Sequence, residues 1–318
     1  MKLRKIYQEV IKKGIEADPR PREVLDSYLH TQKKSFDLLN SRDKEFFDQD
    51  KLFNPFSDTR ILFGDQDLEI RSLIAGIDID GSELLLVDRL REKGTDIDLV
   101  VSHHPQGKAY AHFYEVMDLQ TDVFYDTGIS LSSAQNLLQE RKGEVSRRVS
   151  GANHQRALDF ASWLKQPFMC MHTPCDNLAY SFIRELTAKE QPKTLGSLLD
   201  LLMNIPEYRD AAAHNNPPRI TVGGKDSRIS KIHIEFTGGT EGPLPIYEKL
   251  SAQGVDTIVA MHQSEQHHKK CKEANINVIV ASHIASDNLG VNCMLDHLLA
   301  QEQLTVYECS GFKRFSHK

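Results

Sequence analysis

One pattern, H-x-x-x-D-N-L-[A/G], occurs twice in this chain: His172-Thr-Pro-Cys-Asp176-Asn177-Leu178-Ala179 and His283-Ile-Ala-Ser-Asp287-Asn288-Leu289-Gly290, 111 residues apart. Each copy follows an apolar run that reads as a buried strand, Pro167 to Met171 and Val278 to Ala281, and each opens a segment with helical spacing. A third apolar run, Ile97 to Val101, ends in Ser102-His103-His104-Pro105. Three strands therefore deliver imidazoles at their carboxyl ends, and two of them add a carboxylate four residues later. In open α/β sheets that edge is where ligands sit. Convergence of these residues would make a metal site.

The rest of the chain fits the same α/β plan. Residues 1–60 read as a helical extension. Leu3, Ile6, Tyr7, Val10, Ile11 and Ile15 recur at helical spacing, Val24 to Leu39 forms a second amphipathic stretch, and Ser41 to Asp58 is a polar loop. The basic residues Lys2, Arg4, Lys5, Lys12 and Lys13 read as a solvated helix face. From residue 61 to 318 strands and helices alternate, which predicts two related lobes, each a mostly parallel sheet flanked by helices, with a boundary near 209–218. The first lobe takes strands at 61–63, 72–79, 97–101 and 167–171. Its helices run from Ser82 (as N-cap) to Glu92, over 129–165 with a break near Ser150-Gly151, and onward from the first repeat to about Glu190. A single helix spans Leu195 to Tyr208. The second lobe takes strands at 219–222, 231–236, 257–260 and 278–281, a helix over Ser264 to Asn275, and a last helix to about Ala300.

The chain has 318 residues, enough for one large or two ordinary domains with real cores. A net charge of -6 argues against a general nucleic-acid binder. No apolar run approaches the roughly 20 residues that span a bilayer, and the N-terminus lacks the apolar core of a secretory signal. Five cysteines without a C-x-x-C pair fit reduced, buried thiols better than a disulfide framework or structural zinc. The expectation is a soluble cytoplasmic protein.

Each motif has a bland reading. A His-His pair on a loop is most often solvated, and adjacent strand residues point to opposite faces. Both rings can serve one site only where the strand ends, and Pro105 supports such an end. Asp176 falls where a capping-box acid would, with Thr173 as N-cap and Pro174 at the first helical position. Asp287 after Ser286 fits a first-turn acid that complements the helix dipole. Capping does not require the histidines, however, and the coincidence of both repeats with a third His-bearing strand favours a metal. Mixed imidazole and carboxylate ligands suit zinc, iron(II), manganese, cobalt or nickel. Five ligands exceed a closed tetrahedral site but suit two divalent ions about 3.5–4 Å apart with a shared carboxylate. His262, Glu265, His267 and His268 form a looser cluster, read either as an exposed helix start or as proton carriers beside the metals. Gly238-Gly239-Thr240 reads as a tight turn, because Glu241 opposes anion binding there.

Together these motifs resemble the Ngg-interacting-factor-three family, also known as type 2 homologues of GTP cyclohydrolase I. The match lies in Ser102 to Pro105, His172-Thr173 through Asp176, Gly238-Gly239, and His283 through Asp287, and it covers roughly residues 60–300. The resemblance implies a two-lobed α/β fold, a dinuclear metal site and a ring-shaped homohexamer. It assigns the ligands to His103, His104, Asp176, His283 and Asp287, and places His172 near the metals. Two departures stand out. Asp287 takes the place of the family's glutamate, and the family's Thr-Gly is replaced around Met261-His262.

Two functions follow from this reading. The first is a metal-dependent hydrolase of a small phosphorylated or nucleotide-like molecule, with His172, His267 or His268 moving protons. The second is a non-catalytic protein that handles metal or serves as an interaction scaffold.

Overall fold

The computed structural model describes residues 1–317, and its two sheets share one topology. The first contains β1 (Arg60–Phe63), β2 (Ser72–Gly76), β3 (Leu99–Ser102) and β4 (Phe168–Cys170) in the order β1-β4-β3-β2. The second contains β5 (Arg219–Val222), β6 (Ile232–Glu235), β7 (Thr257–Ala260) and β8 (Asn277–Val280) in the order β5-β8-β7-β6. Within each set of four, three strands run parallel and the first strand of the lobe is an antiparallel edge; a fifth strand, Thr305–Glu308, extends the first sheet. Both antiparallel pairs carry a register shift in the edge strand, at Ile61/Phe63 and at Ile220/Val222. The mostly parallel, two-lobed α/β reading holds, and matching strand order with matching irregularities shows that the lobes are related.

Burial follows from this layering. β2, β3, β4 and β7 are buried along their whole lengths, as expected of parallel strands covered on both faces. Between the sheets lie the two helices that the repeats open, Thr173–Glu190 and His283–Gln301. The 283–301 helix packs Val291, Met294, Leu295 and Leu298 beneath the first sheet, against Leu73, Leu99, Val101 and Met169. Its first turns place Ala285 and Leu289 against Val259 and Ile279 of the second sheet, beside Ala179, Tyr180 and Ile183 of the 173–190 helix. Helix Leu3–Glu16 joins this middle layer, where Leu3, Ile6, Tyr7, Val10 and Ile11 are buried with the first-lobe core.

Several local expectations change. The helix expected to start after Ser82 begins at Gly81, because Asp80 caps it and Glu83 returns the bond in a capping box. The segment 195–208 is two helices, Leu195–Leu202 and Pro206–Ala213. Proline cannot continue a helix but suits a first position. The polar loop at 41–58 contains a short helix, Ser41–Phe46, and a 3₁₀ turn, Gln49–Leu52. A further strand, β9 (Thr305–Glu308), returns to the first sheet and pairs in parallel with β2. Its half-exposed pattern gives it little apolar signal. No helix of the described residues is long and apolar enough to cross a membrane.

Candidate metal centre

The site forms where β3, β4 and β8 end. The β3 ladder continues past Ser102: the His103 and His104 amides donate to the Gly76 and Ile77 carbonyls, each at 2.9 Å. Both rings nevertheless reach the same side, with centroids 5.3 Å apart, because the strand is ending. His172 follows β4, with its ring 4.8 Å from that of His103. His283 follows β8 after Ser282, whose φ of 82° is unusual for a residue with a Cβ. Ser286 Oγ holds that turn by donating to the Ser282 carbonyl at 2.8 Å.

The capping alternative for the two aspartates fails. Helix 173–190 starts at Thr173 with His172 at the cap position, and helix 283–301 starts at His283 after Ser282; neither has a side-chain cap bond. Asp176 and Asp287 instead turn toward the imidazoles. His103 Nε2 lies 3.3 Å from Asp176 Oδ1 and 3.5 Å from Asp287 Oδ1. The other Asp287 oxygen lies 3.5 Å from His104 Nε2 and 3.6 Å from His283 Nε2. His172 Nε2 is 3.7 Å from Asp176 Oδ2.

Three overlapping groups could each hold an ion: His103 with His104 and His172; His104 with His283 and Asp287; His103 with Asp176 and Asp287. Within each group the ligand atoms lie within 4.8 Å of one another. The atoms with the most to gain are His103 Nε2 and both Asp287 oxygens, which are buried and lack a hydrogen-bond partner among the described residues. Buried polar groups are normally satisfied, so three orphaned atoms on facing ligands fit a cation.

The electrostatics agree. Burial works against charge on His103, but Asp287 and Asp176 outweigh it and raise its pKa well above the ordinary value. Burial likewise opposes charge on His104, yet Asp287 and Asp78 raise it to about 9. Burial dominates at His283, which falls to about 4 despite Asp287. Burial would raise Asp287, but the surrounding histidines hold its carboxyl far below the usual carboxylate range. Two carboxylates thus face imidazoles that stand in for a cation.

Residues outside the ligand set orient it. Asp58, fully buried, accepts from His172 Nδ1 at 2.8 Å and from Thr173 Oγ1 at 2.6 Å, which turns His172 Nε2 toward the cluster. Asp78 Oδ1 lies 2.7 Å from His104 Nδ1, and the Met171 carbonyl is 3.2 Å from His103 Nδ1. Such partners fix tautomer and ring angle. Asp58→Asn should therefore weaken metal binding about 10–100-fold while ion stoichiometry stays the same, as calorimetric titration would show. Sequence reasoning missed both acids. Asp78 offered a signal, two residues beyond the end of β2 at the same sheet edge; Asp58 lies in a loop and offered none.

The cluster opens into a narrow cleft between the lobes, walled by Phe124, His233, Glu235, Thr237 and His262 among others. A second mouth beside His104 is lined by Tyr110, Phe113 and His154. Of the looser cluster, His262 reaches the cleft with its ring 4.6 Å from that of His283. His267 is buried behind the cleft wall against Tyr247, and His268 is half-buried on the same helix. Gly238 and Gly239, both at positive φ, form the expected turn, pinned where Gln120 donates to the carbonyls of Gly238 and Thr240.

No family model matches the chain, and no curated protein does. Among solved structures, a NIF3 superfamily protein from Sphaerobacter thermophilus is similar at a TM-score of 0.70 and 26% identity, covering 80% of this chain and 91% of its own. More distant likenesses include a Bacillus cereus protein related to NIF3, at a TM-score of 0.41 and 8% identity over 79% and 89% of the two chains. Another is a protein from Thermus thermophilus, at 0.44 and 15% over 90% and 94%. The fold, and the likeness to the Sphaerobacter protein over most of both chains, support a place for this chain among NIF3-like proteins.

Proposed function

We propose that the protein is a dinuclear metal-dependent hydrolase acting on a small phosphorylated or nucleotide-like molecule. The observation that carries this reading is the split use of Asp287. One carboxylate oxygen faces His103 and the other faces His104 and His283, so a single side chain belongs to two ligand groups. His104, His283 and Asp287 would hold one divalent ion, and His103, Asp176 and Asp287 the other. Aspartate in place of a longer acid still spans both groups. Bound ions of this kind acidify water and polarise a phosphoryl or carbonyl oxygen.

The chain's own residues supply binding and proton handling. His172, held through Nδ1 by Asp58, points Nε2 at the edge of the cluster, where it can complete a coordination shell or carry a proton. The stacked rings of Tyr110 and Phe113, with centroids 5.9 Å apart, offer apolar faces to a flat base at the outer mouth. Partial exposure of the His283 side chain, at 37%, leaves the cluster open to ligands from the cleft. Assembly into a ring of six belongs to the same reading. It is supported by exposed Trp163, Phe160, Leu85 and Leu86 on the packed helices Arg156–Trp163 and Gly81–Glu92.

Elemental analysis of the purified protein beside His103→Ala and Asp176→Ala tests the metal reading. Two ions per chain, lost in both variants, are expected, together with hydrolysis of one of a panel of phosphoesters and nucleotides. No metal after reconstitution with zinc, manganese and iron(II) would overturn it. Full loading without turnover across the panel would favour metal handling instead.

A further inference from the structure

Opposite the ligand cluster, the cleft wall carries ionisable groups that the metal reading does not use. Glu235 ends β6 and lines the cleft. Behind it stand Tyr247, on helix Ile246–Ala252, and His267, on helix Glu265–Glu273. The Tyr247 hydroxyl lies 3.4 Å from Glu235 Oε2 and 2.7 Å from His267 Nδ1. His267 Nε2 lies 3.6 Å from Glu241 Oε2. Glu241, which also lines the cleft, and His267 line a groove on the outer surface, with Arg141, Pro243 and Lys270. A line of side chains thus runs through the second lobe from cleft to exterior, and its middle member is buried.

We propose that Glu235, Tyr247 and His267 form a proton relay between the cleft and the outer groove. In one passage the Glu235 carboxyl gives its proton to the Tyr247 oxygen and the Tyr247 hydroxyl proton passes to His267 Nδ1. The Nε2 proton then leaves for Glu241 or groove water. One proton enters and one leaves, no heavy-atom bond changes, and His267 switches from its Nε2–H to its Nδ1–H tautomer. The reverse series resets the chain: a proton enters at Nε2 from the groove, Nδ1 returns its proton to the Tyr247 oxygen, and the Tyr247 hydroxyl proton returns to the Glu235 carboxylate. The 3.4 Å step is the long one, and catalytic hydrogen bonds in ligand-free proteins often tighten when substrate binds.

The surroundings keep the chain neutral near physiological pH. Burial, with Glu241 nearby, raises Glu235 to about 8, against the opposing Tyr247 bond. Burial also lowers His267, with Glu241 opposing and Arg141 and His262 adding to the effect. His233 Nε2 stands 3.9 Å from the other Glu235 oxygen; burial, helped by Lys231, lowers it to about 4 and leaves it uncharged. Cys271 faces Tyr247 from the 265–273 helix, and burial pushes its thiol up to about 12.

Imidazole-nitrogen NMR of isotope-labelled histidine, on the metal-free protein from about pH 6 to about pH 10, tests the relay. A His267→Asn variant identifies the signal. The expected result is an Nε2–H tautomer at the acid end that converts to Nδ1–H as Glu235 ionises. Glu235→Gln, which keeps the shape, should hold the Nε2–H form throughout, and Tyr247→Phe should abolish the step. One unchanging His267 tautomer in the wild type, or a step that survives in Glu235→Gln, would overturn the relay and leave a buried packing network. Use of the relay in turnover rests on the hydrolase reading. The tautomer is measured without metal, so the two can fail separately.

Discussion

Asp287→Asn is expected to abolish paired metal loading while leaving the fold intact. The substitution preserves shape but removes the one carboxylate shared by two ligand groups, so both ion positions lose a donor at once. The loss should exceed the roughly 10–100-fold associated with removing a mere orienting partner, and elemental analysis should find little or no bound metal. Circular dichroism should match the wild type. The same residue governs the pH dependence of loading. In the metal-free protein His103 and His104 have raised pKa values and carry protons below them, His104 up to about 9. A metal binds the neutral imidazole, so loading must expel those protons. Affinity should therefore rise with pH toward about 9 and fall as pH drops, with proton release measurable by calorimetry in buffers of different ionisation enthalpy. In Asp287→Asn, His104 loses a partner that raises it, and its own titration should move to lower pH.

Gly290→Ala should be the most destabilising small change near the site. Gly290 ends the second repeat, where the two middle helices cross. An added Cβ would sit 2.3 Å from the Cys175 carbonyl oxygen and 2.8 Å from its carbon. Both obstacles are backbone, so neither can swing aside. At an exposed helical position the same change would stabilise by about 1 kcal/mol; here overpacking should reverse the sign, at a net cost of roughly 1–3 kcal/mol. That corresponds to a fall in Tm of roughly 2–12 °C by calorimetry. The displacement also reaches chemistry, because Asp176 follows Cys175 directly and Asp287 lies one turn before Gly290. Metal should then raise Tm less in the variant than in the wild type. Ala179→Gly, at the matching position of the first repeat, creates no clash and serves as the control. If Gly290→Ala melts at or above the wild type, the close crossing does not constrain the helices.

Much of this architecture was legible because strong periodic signals and chemistry coincided. The buried strands before His103, His172 and His283 announced themselves as apolar runs, and the repeated motif fixed what followed two of them. What stayed hidden had no local pattern. β9 is short and half-exposed, and only its pairing with β2 makes it a strand. The orienting acid Asp58 comes from a loop 114 residues from its partner His172. Glu235 and Tyr247 look in sequence like a strand end and a helix start; their meeting depends on the packing of helix Ile246–Ala252 beside β6. His267, grouped with His268 as a pair, is separated from it by burial, since neighbours on a helix face different surroundings.

The return of the last strand has a consequence for how this chain must be made. β2 is synthesised early, yet its second neighbour arrives only after the strands and helices of the second lobe have left the ribosome. Through that interval β2 presents an open edge of apolar residues, the condition under which strands pair with the wrong chain. Closure of that edge by residues 305–308 makes the first lobe's completion wait on the second's, so the aggregation hazard of the earlier lobe outlasts the synthesis of the later one.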